Sequence, residues 1–461
     1  MDQVENEALY GLRSSWSPWG TRLLALVAIL VALSLGYDWV QQFYRQIPVN
    51  DSLSFLANDL PWMPIHTQAV TIIGVHYFGD FQLPYAWAIN VRHSLSPYLS
   101  SQYPANVPPF EILCFIPFTL LSVGPATILF LVISIFVYVM PIWFLLSPMG
   151  SSSRIVVIAL FVLVSGPFVA MLDRGNAIGI VIGLVSWSVV AWRSRHWYLC
   201  GALLVAAISI KVYPVALLVV PIAFRRYRFA AWVLLSAVIL NLAALAVIPG
   251  GFLRNLRTVV PSMTSMQLGH QSLYASWGVY SIAPKLAGLL FGPSAGNGLL
   301  APGRLTVWLP SLLYLVCIYY IIRRNRVPQW CWGPLAVASI QLIVPQSGSY
   351  AAGWVSLGSI WFASNLISRE NGSEIDQQDP DKSYLVLRVS MMLALASTLV
   401  AAVVNIDGSA GFSVLATNLL SPTLVVVALV IAVIISAKRT VFYSHSASME
   451  HLSDSSEFKG N

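Results

Sequence analysis

An all-α, polytopic transmembrane helical bundle is the fold class this sequence predicts, and three observations carry it. Of the 461 residues 57% are hydrophobic and 9% charged, with mean hydropathy +0.74, so a soluble monomer would expose far more apolar surface than one core can hide. Apolar runs of about 20 residues, the length that crosses a ~30 Å hydrocarbon core, recur along the chain. Basic residues cluster in the short gaps between those runs, as in cytoplasmic loops. That placement accounts for the net charge of +7, and no nucleic-acid partner is read into it.

The length rule predicts spans over 21–40, 154–172, 176–192, 229–248, 304–322, 330–345, 350–367, 384–404 and 413–437. The run after Arg22 has no small-residue cleavage site behind it and reads as a retained first helix. Two regions have open parity. Residues 110–147 hold either one span or two separated at Gly124-Pro125, and 197–224 is interrupted at Lys211-Val-Tyr-Pro214. The total is about 11–12 helices in a single domain over 1–440, followed by a polar, Ser-rich tail at 441–461 expected to be disordered and cytoplasmic.

Arg13, Arg22, Arg225-Arg226-Tyr-Arg228, Arg323-Arg324-Asn-Arg326, Arg369 to Lys382 and Lys438-Arg439 orient the chain with those loops inside. The long polar inserts at 41–109 and 249–303 then share the outer face as first and second extracytoplasmic loops. If Arg193 and Arg195 are also inside, the segment at Lys211 must dip in and return, which leaves Asp173-Arg174 outside; a hairpin over 110–147 would put that pair inside.

Charge at membrane depth costs at least ~2.5 kcal/mol and marks candidate function. Lys211 interrupts LLVAAISI and PVALLVVPIAF; it is either a lysine snorkelling at a kink or a cation for a phosphate headgroup. Asp173-Arg174-Gly-Asn176 is either an ordinary interfacial turn or part of the same site. Asp80 lies in a stretch crowded with Tyr77, Phe78, Phe81, Tyr85 and Trp87, aromatics that suit both a headgroup belt and a sugar platform. A carboxylate there could take a proton from a hydroxyl. Asp51 and Asp59 form no D-x-D pair, His66, His76, His93 and His270 share no ligand spacing, and Cys114, Cys200, Cys317 and Cys331 sit in or beside apolar segments. No metal and no cofactor are therefore expected. Tyr274, Trp277 and Tyr280 read as an interfacial belt, and Arg254 and Arg257 fit either an anionic headgroup or an interfacial helix.

Asp80 with Tyr85, Ser96-Pro97-Tyr98, Val107-Pro108-Pro109-Phe110, Arg174-Gly175-Asn176, Lys211-Val-Tyr213-Pro214 and His270-Gln271-Ser272-Leu273 follow one another in an order that resembles glycosyltransferase family 87. These are membrane enzymes of the C-type glycosyltransferase fold, among them actinobacterial polyprenyl-phosphate-mannose-dependent α-mannosyltransferases and related arabinofuranosyltransferases. The likeness covers roughly residues 75–280. It implies Asp80 as general base on the acceptor hydroxyl and Lys211 beside the donor phosphate. Arg174, Asn176, Tyr85, Tyr98, Tyr213, His270, Gln271 and Ser272 would contact substrate. Val107 stands where the family has tyrosine before Pro-Pro, and Arg174-Gly175-Asn176 where many relatives have Gly-Gln-x-Asn.

The resemblance further implies a polyprenyl-phosphate sugar donor, mannose ahead of arabinose, and a glycolipid or lipid-linked glycan acceptor. The surroundings would be the lipids of a bacterial plasma membrane, with the site on its extracytoplasmic face and no metal required. A secondary transporter or lipid-linked sugar flippase is the competing class. It would carry paired repeats with matching broken helices, whereas the chain shows one clear K-x-x-P break.

Overall fold

The computed structural model describes residues 79–99, 104–147, 149–159, 168, 171–172, 175–269, 290–291, 305–324, 327, 329–342, 353–370, 389–391, 393 and 423–435. Every regular element among them is helical. The expected spans at 21–40 and 384–404, most of 154–172, most of the second outer loop and the 441–461 tail lie wholly or largely outside the described residues.

Helix α1 (Gly79–Arg92) packs on α2 (Pro109–Phe115) and the 3-10 turn Ile116–Leu120 that continues it. Helix α3 (Val123–Leu145) follows, so region 110–147 resolves as a short entry segment and one long helix. Next come α4 (Ser151–Val157), α5 (Ile178–Arg193) and α6 (Trp197–Ile210). At Lys211 the backbone turns extended, with φ −136° and ψ 129°. The chain then returns through a 3-10 stretch, Tyr213–Leu218, and α7 (Val219–Ala223). Region 197–224 is therefore two short legs meeting at Lys211. Pro214 lacks a backbone donor and cannot continue α6, which is why the returning leg starts in 3-10 geometry. Helices α8 (Tyr227–Val247), α9 (Phe252–Gly269), α10 (Leu305–Arg324), α11 (Gln329–Ala338), α12 (Gly353–Glu370) and α13 (Thr423–Ile435) complete the described set.

Hydrogen bonds fix which ends lie together. The Tyr85 hydroxyl donates to the Leu121 carbonyl at 2.7 Å, just ahead of α3, and the Phe110 N–H donates to Asn241 Oδ1 at 3.3 Å, near the end of α8. At the far end, Ser364 Oγ on α12 donates to the Leu145 carbonyl at 2.8 Å, and Arg193, which ends α5, donates to Asn365. Neighbouring helices thus alternate in direction. One end carries Asp80, Glu111, Asn176 and Lys211; the other carries Arg193, Arg195, Arg225, Arg226 and Arg228. The parity left open by the sequence resolves with Gly175-Asn176 at the Asp80 end and the Lys211 turn dipping toward it.

Two glycines let the backbones approach. A Cβ on Gly183 of α5 would strike the Val137 carbonyl of α3, and one on Gly201 of α6 would strike the Trp232 ring of α8. Around these contacts Phe81, Phe115, Phe118 and Phe130 stack with ring centres 5.0–6.2 Å apart, joining α1 to α2 and α3. Helices α10, α11 and α13 form a second cluster through Ile318, Trp332, Ala428 and Ala432.

Helices α3 and α8 are long and apolar enough to cross a membrane, yet only 39% and 28% of their most apolar windows are buried. Val132, Phe136, Leu235 and Ile239 face outward, each more than half exposed. A core helix of a soluble protein hides such residues, so these exposed faces fit the membrane spans that composition predicts. Ile178–Arg193 matches the expected 176–192 span within two residues, and Trp197–Ile210 and Tyr213–Ala223 are the two legs of the interrupted 197–224 region, each shorter than the ~20 residues that cross a bilayer.

Candidate functional site

The site forms where three chain reversals meet at the Asp80 end. Asp80 lies in the first turn of α1, where the helix dipole favours a carboxylate. Gly175 adopts φ +61°, a left-handed conformation that costs other residues about 1–2 kcal/mol. Its N–H bonds the Leu172 carbonyl at 3.0 Å and the next N–H, of Asn176, bonds Met171 at 3.1 Å. This closes the preceding helical turn and swings Asn176 into the site. Asn176 Oδ1 then accepts from the Ile178 N–H at 2.9 Å, which fixes the amide's orientation and leaves its Nδ2 to donate to Asp80 Oδ2 at 2.7 Å.

Lys211 is held by a residue the sequence reading passed over. Its Nζ lies 3.0 Å from Glu111 Oε1, and the two side chains are 22% and 1% exposed. Glu111 sits in the first turn of α2 behind Pro108-Pro109, ahead of the candidate span α3. Its second oxygen, Oε2, is buried without a hydrogen-bond partner. Burial pushes the Glu111 carboxyl up; the Lys211 ammonium pulls it down through charge and hydrogen bond, and the Asp80 carboxylate raises it again, leaving it above the ordinary range. Asp80 and Glu111 thus feel one another, and the Asp80–Asn176 and Glu111–Lys211 pairs form one electrostatic unit. The rule that singled out Lys211, a charge inside an apolar run, applies equally to Glu111 and would have found it.

Tyr98 is 1% exposed and its hydroxyl donates to the Val107 carbonyl at 3.1 Å. Burial, with the nearby Glu111 charge, raises its pKa far above normal. Tyr85 is committed to the Leu121 carbonyl, and burial raises its pKa against the lowering effect of Arg92. Both tyrosines brace the loop walls with their hydroxyls turned to backbone. At Val107 the backbone carbonyl supplies the contact, so that position serves the fold without an aromatic side chain. The Tyr213 ring stands edge-on to Trp354, centres 6.1 Å apart, beside the Lys211 turn. Ser96 Oγ donates to Asn255 Oδ1 at 2.7 Å, and Asn255 Nδ2 caps the Ile248 and Pro249 carbonyls at 3.2 and 3.0 Å. These bonds tie the first loop to the start of the second. Arg174, His270, Gln271 and Ser272 lie outside the described residues. Among the described residues no three His, Cys, Asp or Glu side chains converge in a way that could hold a metal ion.

A buried acid–lysine pair beside a partly open carboxylate suits proton transfer next to an anion. The profile of glycosyltransferase family 87 matches residues 107–345, a little over half of the chain. The chain belongs to glycosyltransferase family 87. It is accordingly an enzyme that transfers a sugar from a donor to an acceptor. The matched region begins later and ends later than the likeness read from the motifs. It contains Glu111, Asn176 and Lys211, whereas Asp80 lies ahead of it. No curated protein and no solved structure matches the chain.

Proposed function

We propose that this glycosyltransferase is a multi-pass membrane enzyme that moves a sugar, mannose in the first instance, from a polyprenyl phosphate to a glycolipid or lipid-linked glycan. The reaction takes place on the extracytoplasmic face and inverts the anomeric centre. The observation that carries the reading is the convergence of Asp80, Asn176, Glu111 and Lys211 at the end of the helices opposite the basic turns. By the positive-inside rule the end with Arg193, Arg195, Arg225, Arg226 and Arg228 faces the cytoplasm, so the carboxylates face outward.

In this mechanism the acceptor hydroxyl gives its proton to Asp80 as its oxygen attacks the anomeric carbon. The bond from that carbon to the phosphate oxygen breaks, and its electron pair leaves with the polyprenyl phosphate. Asn176 holds the Asp80 carboxylate in one orientation and stabilises its ionised form. The Lys211 ammonium offsets negative charge growing on the phosphate, while Glu111, 3.0 Å away, fixes that ammonium in place. A phosphate leaving group stabilised this way needs no nucleotide-bound metal. Placing donor and acceptor in one cleft supplies proximity, an effect that reaches about 7–11 kcal/mol in well-oriented systems.

The test is transfer by purified protein supplied in turn with polyprenyl-phosphate mannose, polyprenyl-phosphate arabinose and a nucleotide sugar. Each is tried with a lipoglycan acceptor in the presence of a chelator. Transfer from the mannosyl lipid that disappears in Asp80→Asn supports the reading. Turnover only from the nucleotide sugar, or full activity in Asp80→Asn, would sink it.

A further inference from the structure

A cavity of about 590 Å³ lies at the end of the bundle opposite Asp80 and belongs to nothing in the proposed reaction. Arg193 and Arg195 stand in its wall with Trp192, Trp197, Trp361 and Asn365, over an apolar floor that includes Leu204, Leu217, Val220 and Val337. Arg193 donates to Asn365 and lies 5.4 Å over the Trp361 ring. Arg226 stacks 4.0 Å over Trp197 and 5.6 Å over Trp192, adding a third guanidinium at the rim. Among the described side chains the carboxylates are Asp80 and Glu111, both at the far end, so this cationic rim has no described counter-charge.

Arg195 closes α5 in the left-handed conformation of a helix-ending turn, φ +60°, and stands in the cavity wall beside Arg193. The apolar floor excludes a free hydrated anion as the natural occupant. Phe229 lines the cavity from α8, the helix whose outer face exposes Trp232, Leu235 and Ile239, so the cavity adjoins an apolar, lipid-facing surface.

We infer that this cavity binds an anionic phospholipid of the cytoplasmic leaflet, its phosphate between Arg193 and Arg195 and its proximal acyl chains on the Leu204 and Val220 floor. Basic pockets between membrane helices on the cytoplasmic side suit such headgroups. The inference rests on the membrane orientation proposed above, and its test is separable from catalysis.

Delipidated full-length protein in detergent is titrated with dioleoyl phosphatidylglycerol, dioleoyl phosphatidylcholine, inorganic phosphate and a polyprenyl phosphate while its unfolding midpoint is followed. Phosphatidylglycerol raises the midpoint saturably, and phosphatidylcholine and inorganic phosphate do not. Arg193→Gln and Arg195→Gly each weaken that binding about fivefold; the glycine also removes backbone strain, so its effect cannot be ascribed to misfolding. Leu217→Trp, which fills the cavity and keeps every arginine, abolishes the shift. Asp80→Asn binds phosphatidylglycerol like the wild type, so lost transfer with intact lipid binding separates the two readings. Equal shifts with phosphatidylcholine, saturation by inorganic phosphate alone, tighter binding of the polyprenyl phosphate, or undiminished binding in Leu217→Trp would each overturn the inference.

Discussion

Replacing Lys211 by methionine tests the electrostatic unit most directly, because it removes the ammonium and keeps the bulk of the side chain. Glu111 is 1% exposed and has Lys211 as its described hydrogen-bond partner. Breaking a buried pair from one side costs about 3–5 kcal/mol. Lys211 is 22% exposed, so some water already reaches the pair and the expected cost is at the lower end, about 3 kcal/mol, or roughly a hundredfold in the folding equilibrium. The cost has a pH signature. Burial already holds the Glu111 carboxyl above its ordinary value of 4.5, and losing Lys211 removes the two effects that lower it. A carboxyl raised in the folded state favours folding below its unfolded pKa, and that advantage is lost as pH rises through the folded value. Lys211→Met therefore loses stability progressively from about pH 4.5 upward and recovers in acid. Thermal unfolding at pH 5 and pH 8 in the same detergent measures it. Removing both charges, in Lys211→Met with Glu111→Leu, brings stability back to within about 1 kcal/mol of wild type while transfer stays absent. Equal stability of Lys211→Met and wild type at pH 8, or transfer by the double variant, would refute the reasoning.

Four further outcomes follow from the same geometry. Asp80→Asn lowers the transfer rate by about 10²–10⁴-fold, with an unfolding midpoint close to wild type, measured on one preparation. Asn176→Ala removes a donor to Asp80; the carboxylate is then held less firmly, and the transfer rate falls by up to about a hundredfold while donor KM changes little. Gly175→Ala forces a side chain into φ +61° and costs about 1–2 kcal/mol in unfolding experiments, with activity falling alongside because the turn carries Asn176. Tyr98→Phe leaves the buried Val107 carbonyl without its donor and costs about 1–3 kcal/mol of stability; unchanged donor KM in the folded fraction would fit its bracing role.

What the sequence made legible was governed by how local each signal is. The helical class, the outward apolar faces of α3 and α8, and the break at Lys211 all follow from composition, the ~20-residue ruler and a proline, and each appears in the described structure. The extent of α5, expected over 176–192 and found at Ile178–Arg193, and the end of α6 at the expected Lys211 break were legible too; the left-handed turn at Arg195 that closes α5 was not, because nothing in an arginine announces it. Lys211 stands out in the sequence as a charge inside an apolar run, and Asp80 as a carboxylate among aromatics in a polar insert. Their partners were harder, since the Asn176 bond to Asp80 spans 96 residues and the Lys211 bond to Glu111 spans 100, and the sequence alone does not show such pairings.

Tyr85 and Tyr98 make the converse point. Their order beside Asp80 fits the family pattern, from which a substrate contact is expected; in the structure their hydroxyls donate to the Leu121 and Val107 carbonyls, which gives each a bracing task as well. A family can keep a tyrosine near a reacting group because the loop that carries the group must hold its shape. The Ser96–Asn255 bond is of the same kind, joining the first loop to the turn at Gly250, whose φ of +104° lets the backbone pass against Ser96. The segment that carries Asp80 is thus held by polar bonds to four others, at Val107, Leu121, Asn176 and Asn255. Position at the site is a property of the whole Asp80 end of the bundle, and in the proposed reaction the Lys211 ammonium, 3.0 Å from the buried Glu111, is the group that would meet the departing phosphate.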